Sequence, residues 1–191
     1  VSLSSPASAR VISIMSVMLS GEMIETSVVG REGGFGFIEA IGAGIAFSRA
    51  VVQVPGLFLR VPADAYCTAF DASHSLRKTI NEHIELMITE LRQAMACVAL
   101  HSVEQRMAWW LLEAQDRVGG EPNLPLTQEF LSVMLGVART TVTFHAGKLQ
   151  AKGLIRYRRG HLRILARAGL ERGACECYAT GRHFRDRIER S

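Results

Sequence analysis

The stretch TQEFLSVMLGVARTTVT, residues 127–143, carries the strongest fold signal in this chain. Thr127 precedes an apolar run without Gly or Pro, which predicts a short helix with Thr127 as its N-cap. Gly136 then indicates a sharp turn, because glycine adopts backbone angles that other residues avoid. A second helix is predicted over residues 139–151. A short helix, a glycine turn and a second helix predict a helix-turn-helix motif.

The two helices of this motif divide their side chains between an inner core and an outer surface. The residues expected to form the core between the helices are Leu131, Leu135, Val137 and Val142. The residues expected to face outward at the start of the second helix are Arg139, Thr140, Thr143 and Phe144. Arginine pairs bidentately with guanine, and threonine hydrogen-bonds a base or contacts a thymine methyl group. We therefore predict that the four outward residues contact base edges of DNA.

A second pattern, LIRYRRGHLRIL at residues 154–165, follows directly. Apolar and polar residues alternate on both sides of Arg159 and Gly160, which predicts a β-hairpin. A hairpin after a helix-turn-helix is a wing, and its cations suit phosphate contacts that position a protein without reading sequence. The expected DNA-backbone contacts are Thr127, Lys148, Arg156, Arg158, Arg159 and His161.

Upstream of the motif, apolar residues recur every three or four positions and predict one helix of about 25 residues. The stripe consists of Leu76, Ile80, Ile84, Met87, Leu91, Met95 and Val98. Its spacing is close to a heptad repeat, so we expect it to be the interface of a homodimer. The alternative is packing of the stripe against the chain's own sheet. A further helix is predicted to begin at Ser102, which has Gln105 at capping-box spacing.

The first part of the chain is predicted to be mainly β-structure. Residues 11–19 and 23–29 alternate about a Ser-Gly turn and indicate a hairpin. Residues 50–54 and 57–61 indicate two more strands joined at a Pro-Gly turn. A short helix is expected at residues 63–70. These strands are too few for a closed β domain, so we expect part of a barrel or jelly roll.

Charge is distributed unevenly along the 191 residues, of which 48% are hydrophobic and 21% charged. Residues 1–138 hold 9 Lys/Arg and 14 Asp/Glu (net −5), whereas residues 139–191 hold 13 and 4 (net +9). A basic C-terminal segment that follows an acidic N-terminal part is typical of a polyanion-binding module. No apolar stretch reaches the ~18 residues of a membrane span, and the first ten residues lack a signal-peptide pattern, so we expect a cytoplasmic protein.

Motifs of catalysis are not found in the sequence: there is no nucleophile elbow, Walker loop or His-Glu-x-x-His segment. We therefore expect no enzyme, no catalytic residue and no cofactor. Cys175 and Cys177, with His183 nearby, are a weak zinc signal without a second cysteine pair, and no metal site is predicted. The residues interpreted as structural are Cys67, Cys97 and His145.

Several stretches of the sequence resemble Crp–Fnr-type bacterial transcription regulators. They are LTQEFL at 126–131, MLGVARTTVT at 134–143, LQAKGLIRYRRG at 149–160, LHSVEQR at 100–106 and CECY at 175–178. The resemblance implies a sensor of the cyclic-nucleotide-binding jelly-roll type, a long dimerisation helix and a DNA-binding domain. It places Arg139 where the family has a base-reading arginine. Gly36 is followed by Phe37 rather than by the acidic residue that binds ribose, so a cyclic nucleotide is not the expected effector.

We therefore expect an α+β fold with a partial antiparallel β jelly-roll sensor, a long dimerisation helix and a C-terminal winged helix-turn-helix. The expected domains are residues 1–72, 73–100 and 101–191, with a linker at 122–125. The predicted function is that of a dimeric, sequence-specific regulator whose partners are double-stranded DNA, a second copy and an unidentified small-molecule effector. RNA polymerase is a further candidate partner. The alternative is a dimeric small-molecule-binding or protein-interaction module whose winged helix contacts protein.

Overall fold

The computed structural model describes residues 11–30, 33–158 and 160–188, with side chains up to residue 184. Helices and antiparallel strands give an α+β arrangement. The strands are β1 (Val11–Val17), β2 (Met23–Val29), β3 (Ser48–Val54), β4 (Asn123–Leu124), β5 (Ile155–Arg158) and β6 (His161–Ile164). The helices are α1 (Phe37–Ile41), α2 (Ala63–Ala72), α3 (His74–Leu100), α4 (Val103–Arg117), α5 (Gln128–Leu135), α6 (Arg139–Ala151), α7 (Arg167–Gly173) and α8 (Cys177–Ile188).

The N-terminal strands form a three-stranded antiparallel sheet in the order β2-β1-β3. The predicted hairpin of β1 and β2 is confirmed, and Gly21 in its turn has a φ of 86°. The central strand β1 is buried continuously from Val11 to Met15. Continuous burial fits its place between two strands with a covered sheet face on both sides. This sheet, with α1 and α2, is called the sensor module below, after the role that the sequence analysis expects for it.

Two segments of the sensor module differ from the prediction. The strand expected at residues 57–61 is wrong, because residues 55–62 form no strand and Leu57, Phe58 and Leu59 are exposed. A strand is stabilised by pairing with a sheet edge, and among the described residues no other strand pairs with this segment. Helix α1 was not predicted, because it follows a glycine-rich stretch. It begins directly after Gly36, which has a left-handed φ of 85°.

Helix α3 confirms the long helix with 27 residues, and the Ser73 side chain caps its N-terminus by accepting from the Leu76 amide at 3.2 Å. Its apolar stripe is covered unevenly, because α2 and β2 pack on part of the helix. Ile80 is 4% exposed within one chain, so packing inside the chain accounts for it. Met95 is 74% exposed and Val98 56% exposed. No helix in the described part of the chain is both long enough and apolar enough to cross a membrane.

The C-terminal half is built around α4, whose capping box of Ser102 and Gln105 is present as predicted. Met107, Leu111 and Leu112 of this helix are fully buried and form the middle of the main core. The Arg167 guanidinium pairs with Asp116 at 2.8 Å, and this ion pair holds α7 against α4.

The wing is a three-stranded sheet in the order β4-β6-β5. The expected linker at residues 122–125 is wrong in part, because Asn123 and Leu124 form β4 and pair with Arg163 and Leu162 of β6. Leu124 is 2% exposed, and its burial in the main core explains why this short segment joins the sheet.

The sensor module packs directly on the helix-turn-helix through β2 and α5. The Trp110 indole N–H donates to Oε1 of Glu25 at 2.9 Å across this contact. Burial raises the pKa of Glu25 to about 7, against hydrogen bonding by Ser13 and Trp110, which lowers it. The contact therefore contains a carboxyl group whose charge costs stability where the two parts of the chain meet.

Candidate nucleic-acid interface

The helix-turn-helix forms as predicted. The Thr127 side chain accepts from the Phe130 amide at 3.0 Å and caps α5. Gly136 ends α5 in the left-handed region at φ 62°, a conformation that favours glycine and lets the chain reverse into α6. The predicted inner residues Leu131, Leu135 and Val142 are buried, and Val137 is half-buried against them. This core fixes the angle between α5 and α6.

Helix α6 has one buried side and one exposed side. Val142, Ala146 and Leu149 are buried at helical spacing and attach the helix to the main core. The four residues predicted to contact bases are all exposed: Arg139, Thr140, Thr143 and Phe144. The N-terminal half of α6 therefore presents one arginine, two threonines and one phenylalanine to solvent as a group.

Two local contacts hold this exposed group in place. The Thr143 hydroxyl lies 2.9 Å from Oε1 of Gln128 and 3.0 Å from the Arg139 carbonyl oxygen, and it donates to one of them. Gln128 lies at the start of α5, so this bond links the two helices at their solvent side. At the N-terminus of α6, Ala138 provides no side-chain cap. That leaves the positive end of the helix dipole without a side-chain partner.

Lys148, a predicted backbone contact, lies one turn further along α6. Its ammonium is 4.6 Å from the centre of the Phe144 ring and 3.5 Å from Oε2 of Glu104. Glu104 also binds Lys152, whose hydrogen bond is the main cause of a lowered pKa at this carboxyl group. His145 has its Nδ1 3.7 Å from the same carboxylate and is half-buried, in agreement with a structural role. The cations at this end of α6 are therefore partly balanced by Glu104.

The wing exposes a row of cations on one face. Arg156 lies opposite Arg163 and Arg158 lies opposite His161 in the antiparallel register of β5 and β6, and all four are exposed. In β5, Arg156 and Arg158 lie on the exposed face, while Ile155 and Tyr157 lie on the face toward the core. Arg163 was missed as a candidate, although alternation along β6 places it on the same face as His161. Arg159, also a predicted phosphate contact, lies outside the described residues.

The wing and the helix-turn-helix form one continuous surface. The Tyr157 amide donates to Oε1 of Gln150 on α6 at 2.8 Å, and the Tyr157 hydroxyl donates to the Leu126 carbonyl just before α5. Burial raises the pKa of Tyr157, and the positive charge of nearby Arg139 opposes that shift. Gly160 at the wing tip lies beside Thr127. The arginines of the wing therefore flank the exposed end of α6.

The sequence of residues 105–173 matches the family model of a Crp-like helix-turn-helix domain. The chain contains this domain. It extends from α4 through α7 and includes the wing, so the predicted resemblance to Crp–Fnr-type regulators is confirmed for this region. No curated protein sequence matches the chain.

The fold of this chain is similar to the folds of solved Crp/Fnr-family regulators. A putative regulator from Eubacterium rectale is 20% identical, with a TM-score of 0.70 over 87% of this chain and 77% of its own. A Crp/Fnr-family regulator from Thermus thermophilus is 22% identical, with a TM-score of 0.69 over 86% of this chain and 83% of its own. FixK2 from Bradyrhizobium japonicum is 12% identical, with a TM-score of 0.66 over 86% and 83%. The shared fold includes the sensor module and α3 as well as the Crp-like domain.

The sensor module contains a cavity of about 270 Å³, separate from the surface of the Crp-like domain. Aromatic side chains line it, including Phe37, Phe58 and Tyr66, together with Gly33 and Gly34. None of its described lining residues carries a charge. Its described walls therefore consist of apolar and aromatic side chains together with glycine backbone.

Proposed function

We propose that the chain is a dimeric, sequence-specific DNA-binding transcription regulator of the Crp/Fnr type. The observation that carries this proposal is the exposed group at the start of α6, beside a wing face of arginines. In this proposal α6 enters the major groove, where Arg139 reads a guanine and the threonines contact neighbouring bases. Such a regulator acts in the cytoplasm and meets RNA polymerase on DNA.

The wing and the capped end of α5 are proposed to contact phosphates. The residues proposed for this role are Thr127, Lys148, Arg156, Arg158, Arg159, His161 and Arg163, and the structure describes all of them except Arg159 as exposed. Arginine pairs with phosphate in a fixed bidentate geometry, and such contacts set the register of α6 without reading bases. Lys148 reaches a phosphate only when it leaves Glu104, so its contribution is smaller than that of the wing arginines.

Dimerisation is proposed to use the exposed side of α3. The side chains that remain accessible there at spacings of three and four are Ile84, Ile88, Leu91, Met95 and Val98. Ile88, which is not part of the predicted apolar stripe, is 41% exposed, whereas Ile80 of that stripe is buried within the chain. Two such helices side by side bury apolar area that one chain leaves in water. A two-fold dimer presents two α6 helices to half-sites roughly 34 Å apart.

The effector is proposed to be a small apolar molecule held in the sensor cavity. The support is the uncharged, aromatic lining of that cavity among the described residues. A cyclic nucleotide carries a phosphate that is bound in proteins by a cation or by a row of amide donors. The sequence after Gly36 also lacks the acidic residue that ribose recognition uses in the resembling family.

The test is a selection of bound duplexes from a random pool, followed by affinity measurements on the selected and a scrambled duplex over a salt series. We expect a preferred near-palindromic sequence and a linear fall of log K with log salt concentration, with a slope that counts the phosphate contacts. A protein-interaction module would give no enriched sequence and little salt dependence. That outcome would overturn the proposal in favour of the alternative.

A further inference from the structure

Three cysteines and one histidine from distant parts of the chain meet at the end of α3. Cys97 lies in the last turn of α3, and His101 directly follows that helix. Cys177 begins α8, and Cys175 lies two residues before it. Their sulfur atoms and one imidazole nitrogen all lie within 4.8 Å of one another. All four cysteines of the chain are free thiols, so no disulfide accounts for this cluster.

The donor atoms already have nearly the separations of a tetrahedral metal site. The Cys97 and Cys175 sulfurs are 3.5 Å apart, and the Cys177 sulfur is 3.5 Å from Nδ1 of His101. Zinc binds sulfur at about 2.3 Å and nitrogen at about 2.0 Å, which places neighbouring donors of a tetrahedron roughly 3.5–3.8 Å apart. The cluster therefore needs only small movements to enclose one ion.

The surroundings are unlike those of cysteines that only fill a core. The three cysteines are between 0% and 4% exposed and form a small buried cluster of their own, with Trp109 packed against it. The Gln93 side-chain amide donates to the Cys177 sulfur at 3.1 Å. Hydrogen bonds of this kind orient a thiolate ligand and partly offset its negative charge.

We infer that Cys97, His101, Cys175 and Cys177 form a structural zinc site that fastens the end of α3 to α8. Four protein ligands fill a tetrahedral coordination shell and leave no position for water, so the site is closed and not catalytic. The sulfur-rich donor set selects zinc over magnesium or calcium, which prefer oxygen. This inference differs from two sequence interpretations, because it makes Cys97 a ligand instead of a core filler and uses His101 instead of the exposed His183.

The spacing explains why the sequence did not predict this site. Cys97 and His101 are one helical turn apart, but more than seventy residues separate them from Cys175 and Cys177. Only the packing of α8 on α3 brings the two pairs together. The inference is independent of DNA binding, because it concerns the junction between the long helix and the C-terminal helix.

The first experiment uses the full-length purified chain without any substitution. We expect one zinc per chain by mass-spectrometric metal analysis. After removal of zinc by a chelator, added Co²⁺ should give thiolate-to-cobalt charge-transfer absorption and the intense visible bands of a tetrahedral ion. Chelation should also lower the melting temperature, because metal binding is coupled to folding. Protein that lacks zinc and binds Co²⁺ only with the weak bands of an octahedral ion would overturn the inference.

Variants assign the ligands. Replacing both Cys175 and Cys177 by serine should abolish binding of zinc and cobalt, while Cys67→Ser should retain one ion per chain. Cys67 is a matched control because its sulfur lies 3.2 Å from the Ala40 carbonyl, in the sensor module. Gln93→Ala should keep one ion but weaken zinc affinity about 10- to 100-fold in competition with a chromophoric chelator. Full metal content in the double variant, or a disulfide between Cys97 and Cys175 in the native chain as purified, would contradict the site.

Discussion

At the scale of single residues, Arg139 is the side chain on which the proposed sequence recognition depends. It is exposed at the first position of α6 and makes no ion pair among the described residues. We expect Arg139→Ala to weaken binding to the selected duplex about 10- to 100-fold, because one bidentate base contact discriminates by about 1–3 kcal/mol. Binding to a scrambled duplex should fall far less. Fluorescence anisotropy with both duplexes measures the two constants.

The control for this prediction is Arg60→Ala, which removes an exposed arginine from the segment before α2. It should leave both constants unchanged. An equal loss on the selected and scrambled duplexes in Arg139→Ala would show that Arg139 contacts only the backbone.

Glu25 is the residue that should make stability depend on pH. Its pKa is about 7 in the folded chain against an ordinary value of 4.5, so the folded state keeps a proton that the unfolded state releases. The contribution of Glu25 to the free energy of unfolding is therefore largest below about pH 4.5. It falls by up to about 3 kcal/mol as the pH rises to about 7. Above that pH the effect levels off. Arg117 and Glu113 are the charged groups nearby, and their effects on the pKa are smaller than that of burial.

Urea unfolding between about pH 5 and pH 8 tests this for the native chain and for Glu25→Gln. The variant should lose most of the decline with rising pH, because its amide keeps the shape of the carboxyl group and carries no charge. The difference between the two curves isolates Glu25 from the histidines, which titrate in both proteins. Parallel curves would show that Glu25 is already ionised in the folded chain.

At the scale of elements, the proposed function assigns affinity to the wing and specificity to α6. We expect Arg158→Ala and Arg163→Ala each to weaken binding to all duplexes alike and to reduce the slope of log K against log salt by about 1. Glu129→Gln, at the exposed start of α5, is a useful comparison, because removal of an acid there should strengthen binding to all duplexes. A change of base preference in either arginine variant would assign a base contact to the wing.

At the scale of the whole molecule, the proposed dimer depends on the exposed side of α3. We expect Met95→Glu to convert the dimer to a monomer, because a charge replaces an exposed apolar side chain within the proposed seam. The affinity for a duplex with two half-sites should then fall strongly, since the second contact is no longer intramolecular. Sedimentation velocity and binding to one or two half-sites measure both effects.

Ala96→Glu is the matched control for the dimer prediction. Ala96 is exposed next to Met95 but points about 100° away around the helix, so the same charge lies off the seam. This variant should remain dimeric. A dimeric Met95→Glu would place the subunit contact elsewhere in the chain.

Local sequence patterns are enough to predict most helices, strands and turns of this chain and their order. The helix-turn-helix, its cap at Thr127, its turn at Gly136 and the wing all follow from patterns within about 40 neighbouring residues. Helical periodicity fixed α3, and strand alternation fixed the hairpin of β1 and β2. These features rest on side-chain spacing and local backbone preference, which a sequence displays directly.

Features that depend on contacts between distant segments could be found only in the folded chain. Burial of Leu124 makes β4 a strand, while the absence of a partner strand leaves residues 57–61 irregular. Packing of α2 and β2 on α3 buries Ile80 within the chain and leaves Ile88 exposed. The same long-range packing places the Glu25 carboxyl group against the Trp110 indole and brings the Cys97 and Cys175 sulfurs to 3.5 Å from each other. Solvent exclusion and the meeting of remote side chains have no periodic signature, so the fold had to be known before these sites were visible.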